Sequence, residues 1–99
     1  MISWDDAKNK SNQRKHGVSF EAAKLVFDDP LHVTRQDRIE DGEKRWQTVG
    51  MAGGVVLLLV AHTWHEIESN ETDRSAEHIR IISARRATKL ERKVYEQGA

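Results

Sequence analysis

The sequence predicts a small α+β domain with two N-terminal helices, an antiparallel β-sheet of about four strands and a C-terminal helix. Three observations predict it. Apolar residues recur at helical spacing up to the single proline, Pro30. Beyond it, segments with period two or fully apolar character are separated by Gly-containing turns, and helical period returns after Arg85. Ninety-nine residues suffice for one such domain, so residues 1–99 are read as a single unit.

The elements follow in order. Asp5 or Asp6 caps a first helix that runs through Ala7, Lys8 and Ser11 to Lys15, where His16 and Gly17 supply a basic residue and a left-handed stop. Ser19 opens a second helix with Phe20, Ala23, Val26 and Phe27 on one face, and Pro30 forbids its continuation, so it ends near Asp28. Leu31 to Asp37 and Lys44 to Met51 read as a hairpin around Glu40, Asp41 and Gly42. Gly53 and Gly54 turn the chain into Val55–Ala61, a run suited to a central strand covered on both faces. His65 to Glu77 lacks periodicity and reads as an extended loop. His78 to Ser83 is the last strand. From Arg85 onward Ala87, Leu90, Val94 and Tyr95 share one helical face, opposite Arg85, Arg86, Lys89, Arg92 and Lys93. Thr88 and Glu91 have capping-box spacing, with Ser83 as an alternative, earlier cap.

Composition narrows the chemistry. The chain has no cysteine, which removes disulfides, thiolate metal sites and cysteine nucleophiles. Its longest apolar run is far short of the roughly 20 residues of a membrane helix, and the N-terminus lacks a basic-then-apolar signal, so a cytoplasmic protein with no membrane contact is expected. Net charge is zero, but it is unevenly spread. Residues 1–24 hold five basic and three acidic side chains, residues 25–78 five and eleven, and residues 79–99 six and two. A basic C-terminal segment beside an acidic middle suits a polyanion on one face and a basic partner on another.

Specific motifs sharpen this. Trp4-Asp5, Lys8, Asn12, the run Lys15 to Ala23, Val26-Phe27 and Asp29-Pro30 resemble the N-terminal pattern of the BrnT family. The pattern continues through Arg45-Trp46 and Gly50 to Arg80-Ile81-Ile82-Ser83-Ala84-Arg85-Arg86-Ala87-Thr88, then Glu91-Arg92 and Tyr95-Glu96. The resemblance implies a RelE-like fold and an RNA-cleaving toxin of a type II toxin–antitoxin pair. It further implies a BrnA-like antitoxin, DNA contact only through the antitoxin complex, and a heterotetramer with that antitoxin. The segment from His62 to Glu77 departs from the family in being longer and more acidic.

Metal-independent RNA cleavage needs the ribose 2′-hydroxyl deprotonated, the phosphorane stabilised and the leaving 5′-oxygen protonated. Arg80, Arg85 and Arg86 suit the second task, because guanidinium presents forked donors to phosphate. Strand alternation sets Arg80 opposite Ile79, Ile81 and Ser83, away from the core; the plainer account is an ion pair with a neighbouring strand. For the proton transfers the candidates are His62, at the end of the central strand, with His65 behind it, and Glu66. Arg85, Arg86, Lys15 and Trp64 are the substrate-binding candidates, Trp64 as a stacking surface for a base. The histidines at 16, 32, 62, 65 and 78 show no metal-ligand spacing, so no metal and no cofactor is expected. The alternative is a non-catalytic RNA- or protein-binding module. A DNA-binding regulator is disfavoured because no basic recognition helix is evident.

Overall fold

The computed structural model describes residues 1–68 and 75–98. Its elements are β1 (Ile2–Trp4), α1 (Asp6–His16), α2 (Phe20–Lys24) running into a 3₁₀ turn (Leu25–Asp28), β2 (Val33–Glu40), β3 (Glu43–Ala52), β4 (Val56–His62), β5 (His65–Glu68), β6 (Ser75–Arg86) and α3 (Lys89–Gln97). The six strands form a mixed sheet in the order β1-β6-β4-β3-β2, with β5 also paired to β6.

Local chemistry sets the helix ends. The Asp5 carboxylate accepts from the amides of Ala7 and Lys8, and Gly17 closes α1 at φ 69°. Ser19 accepts from Ala22, and Thr88 forms a capping box with Glu91, which excludes the Ser83 alternative. The β2–β3 turn is Asp41-Gly42, with both residues at positive φ (53° and 76°), the two-residue geometry that matches strand twist.

Four expectations from the sequence are corrected. A short strand precedes the first helix and pairs parallel with β6, so the sheet has six strands and is mixed. Three residues without alternation give no pattern signal, and β1 exists only because β6 offers it an edge. The second helix is α-helical for five residues and then tightens to 3₁₀. The expected loop 65–77 is strand at both ends, because β5 and β6 form an antiparallel ladder from His65↔His78 to Glu68↔Ser75; the remainder, residues 69–74, lies outside the described residues. Finally, Arg85 and Arg86 belong to β6 and not to the last helix, and Leu90 is 73% exposed rather than packed.

The sheet is covered on both sides. Leu58, Val60, Ile81 and Ala84 face Val18 of the α1–α2 loop, Phe20 and Ala23 of α2 and Val26 of the 3₁₀ turn, while Val33, Val49, Leu57 and Leu59 face Val94 and Tyr95 of α3. Consecutive β4 residues thus feed two different cores, as an apolar run in a central strand requires. The approach of the 3₁₀ turn depends on Gly50: a Cβ there would lie 2.8 Å from Val26 Cγ1.

Asn12 joins α1 to the sheet. Its buried amide donates to the carbonyls of Val18 and Ala84 (both 2.8 Å) and accepts from the Ala84 amide (3.1 Å). Asn9, one turn earlier, accepts from the Phe20 amide at 2.8 Å.

Asn12→Ala leaves three buried backbone groups without partners and should cost about 2–3 kcal/mol. Asn12→Asp should also destabilise, because a carboxylate cannot donate to two carbonyls. Gly50→Ala should cost about 1–3 kcal/mol by overpacking. Urea denaturation checks all three, and an Asn12→Ala loss below about 0.5 kcal/mol would contradict the first.

Candidate functional site

The Arg-rich strand β6 divides between the two faces of the sheet. Ala61 pairs with Ser83 but His62 pairs with Ile81, so Ile82 is an extra residue, a β-bulge. The bulge reverses the alternation: Ile81 and Ala84, three apart, both enter the core under α1 and α2. Arg80, Ser83 and Arg85 consequently share the other face, which α3 covers only in part, and Arg86, opposite Leu58, lies on the helix-covered side. The expectation that Ser83 faces away from Arg80 is corrected by the same bulge.

Around Arg80 the open face is dense in charge. Arg80 donates to Glu43 Oε1 at 2.9 Å, and His65 Nε2 lies 3.0 Å from Glu43 Oε2. The hydrogen bond from His65, with smaller help from the Arg80 and Arg45 guanidiniums, holds the Glu43 carboxyl below its ordinary range although partial burial opposes it. Arg45, two residues along β3, reaches Glu43 at 3.8 Å and Glu40 at 3.9 Å, and its buried Nε–H has no hydrogen-bond acceptor among the described residues. Arg38, paired with Arg45 in the ladder, contacts Glu40 at 3.4 Å. His78 lies directly across the ladder from His65, and its Nε2 is 2.8 Å from the Ser3 hydroxyl. Further along, Arg85 grips Glu91 with two bonds of 2.8 and 2.9 Å, which anchor the first turn of α3 to β6.

The sequence-derived set is not brought together. Arg80 is on the open face, 45% exposed at its side chain. His62 is on the opposite face and 1% exposed: it donates through Nδ1 to the Thr63 carbonyl (2.8 Å), while Nε2 meets the Thr48 hydroxyl (2.7 Å), which meets Thr34 (2.7 Å). Phe27 packs edge-on against its ring at 5.0 Å. Glu66 stands opposite Glu77, which lines the same cleft as His62. Trp64, 38% exposed, stacks edge-on with Trp46 at 5.3 Å and borders that cleft too. Lys15 is exposed in the last turn of α1, and Arg86 lines a cleft with Gln13 and Gly17 at that end of the molecule.

Sequence reasoning missed Glu43 and gave Arg38, Arg45 and His78 no role. One signal was available: Glu43, Arg45 and Gln47 alternate on β3, so a charged face was legible in the hairpin. That Arg80 would sit against it required the strand order.

Burial, more than any neighbouring charge, lowers the pKa of His62. The unfolded chain therefore takes up a proton on His62 near the ordinary value of 6.5, whereas the folded chain does so only at lower pH. Stability from this group is complete above about pH 6.5 and is lost as the pH falls below it. Denaturation midpoints measured from pH 7.5 to 5 should fall, and His62→Gln should flatten that slope; an unchanged slope would contradict the assignment.

No curated protein matches the chain. Among solved structures, the crystal structure of the Brucella abortus ribonuclease toxin BrnT is similar, with a TM-score of 0.56 and 24% sequence identity over 89% of this chain and 96% of that one. This likeness supports the fold. Residues 4–91 match the family described as the ribonuclease toxin, BrnT, of type II toxin–antitoxin systems. With most of its length matched, this chain belongs to the BrnT family of ribonuclease toxins of type II toxin–antitoxin systems.

Proposed function

We propose that the chain is a metal-independent endoribonuclease that acts on the open face of its sheet, with Arg80, Glu43 and His65 at the reaction centre. The observation that carries this is the Glu43 carboxylate held between Arg80 at 2.9 Å and His65 at 3.0 Å on a face rich in guanidinium. The guanidinium groups of Arg80 and Arg45 around it support anion binding, since their forked N–H donors match phosphate oxygens.

In this reading the RNA phosphate lies against Arg80 and Arg45. His65, oriented by Glu43 through one ring nitrogen, takes the 2′-hydroxyl proton on the other, and the carboxylate stabilises the imidazolium that forms. The 2′-oxygen bonds to phosphorus, the bond from phosphorus to the 5′-oxygen breaks, and the guanidiniums bear the phosphorane's added charge. The second histidine of the face, His78, is assigned the proton delivered to the 5′-oxygen. Products are a 2′,3′-cyclic phosphate and a 5′-hydroxyl. Arg85, committed to Glu91, serves the scaffold, while Arg86, Lys15 and Trp64 contact RNA only where a long substrate wraps the other side. A BrnA-like antitoxin neutralises the toxin in the cytoplasm, with DNA contact only through their complex.

Arg80→Ala should lower the rate of cleavage of single-stranded RNA by about 10²-fold or more. His65→Ala should lower it similarly and remove one limb of the pH–rate profile. His62→Gln, on the other face, should lower stability without that loss. Undiminished cleavage by folded Arg80→Ala would remove Arg80 from the mechanism. No cleavage by folded wild type on any RNA would favour a non-catalytic binding module.

A further inference from the structure

The charged face does not end at Arg45. Continuing along β3 on the same side, Gln47 and Val49 lead to a narrow cleft of about 110 Å³ between the sheet and α3. Its walls are Val33, Val49, Leu59 and Val94, one apolar side chain each from β2, β3, β4 and α3. Its rim carries Arg35 and Gln47, which are partners in the β2–β3 ladder, and Glu91, which Arg85 and Thr88 already hold. Gln47 makes only a long contact of 3.5 Å, from Nε2 to Asp37, and Arg35 holds no ion pair among the described residues.

We infer that this cleft is a purine-binding subsite that positions one base of the RNA whose phosphate lies at Arg80; the inference rests on the proposed nuclease reading for its occupant. The cleft is far smaller than the roughly 300–1,000 Å³ of a small-molecule site, so it takes a flat fragment. Its apolar walls suit the ring of a base, which is apolar on its faces. The rim supplies recognition. A side-chain amide pairs with the N6/N7 edge of adenine and a guanidinium with the O6/N7 edge of guanine, so Gln47 and Arg35 both favour a purine. Register supplies the reach: Glu43 and Gln47 are four residues apart on one strand, about 13 Å, which a single-stranded RNA spans in a few nucleotides. Because the walls come from four elements, the slot exists only while α3 is seated. The bond from Tyr95 to Asp29 (2.7 Å) and the Arg85–Glu91 pair hold it there.

The test is methyl NMR on full-length Arg80→Ala, chosen to prevent turnover, titrated with an all-purine and an all-pyrimidine single-stranded RNA. The methyls of Val33, Val49, Leu59 and Val94 should shift with the purine strand, which should bind about tenfold more tightly or better. Gln47→Leu and Arg35→Ala, tested singly so that one folding defect does not decide the matter, should each erode that preference. Binding that shifts the backbone amide signals of Arg45 and His65, recorded alongside, but leaves the four methyls unmoved overturns the subsite, as does a preference unchanged in both variants. Purine-dependent methyl shifts in a protein whose wild type cleaves no RNA would keep the subsite and discard the nuclease reading. Absence of binding by either strand overturns the subsite, while RNA cleavage by the wild type decides the nuclease reading separately.

Discussion

The contact on which the rest of this structure depends is the buried amide of Asn12 against the backbone of Ala84. Strand β1 covers β6 only from Ile79 to Ile81 and then leaves the sheet at Asp5 to begin α1. Beyond that point β6 would present bare amide and carbonyl groups beneath a helix, where water cannot serve them. Asn12 supplies one acceptor and one donor to Ala84 and so stands in for the missing strand. It simultaneously ties the Val18 carbonyl, fixing the loop between α1 and α2 against the same spot. No other side chain of that size offers both a donor and an acceptor in a fixed plane.

With Ala84 held inward and Ile81 in the same core, the chain between them must absorb one residue, and the bulge at Ile82 does so. Packing on one side of the sheet thus dictates chemistry on the other. Arg80 and Arg85 are an odd number of residues apart, and in an unbroken strand they would point in opposite directions. The bulge turns both to the face that α3 covers only in part, where Arg80 meets Glu43 and Arg85 meets Glu91 of α3.

The two faces hold different polar networks, and each also keeps one buried N–H without an acceptor among the described residues, Trp46 Nε1 on the helix-covered side and Arg45 Nε on the open side. On the helix-covered side the hydroxyls of Thr34 and Thr48, the ring of His62 and the carbonyl of Thr63 form a chain in which each member is satisfied, which is what allows a histidine to be buried uncharged. On the open side Glu40 and Glu43 are shared among Arg38, Arg45, Arg80 and His65, so among the described residues these two carboxylates serve three guanidiniums and an imidazole. The first arrangement is a closed structural network. The second has donors to spare for an anion.

The sequence by itself determined the Gly17 stop of the first helix, the Ser19 cap of the second, the Asp41-Gly42 hairpin, the doubly covered central strand and the family, because each is written in adjacent residues through capping, turn and period rules. It also singled out Arg80. Only the tertiary structure decided what Arg80 would meet. His62 lies one strand away and looked like a partner, but its face was set by alternation along β4, whereas Arg80's was set by β6. Glu43, thirty-seven residues distant, became the partner because β3, β4 and β6 are neighbours in the sheet and β5 folds back across β6. Strand β1 and the bulge at Ile82 were likewise illegible, since neither has a local signature. Each is the response of a short segment to hydrogen-bonding groups that another part of the chain exposes.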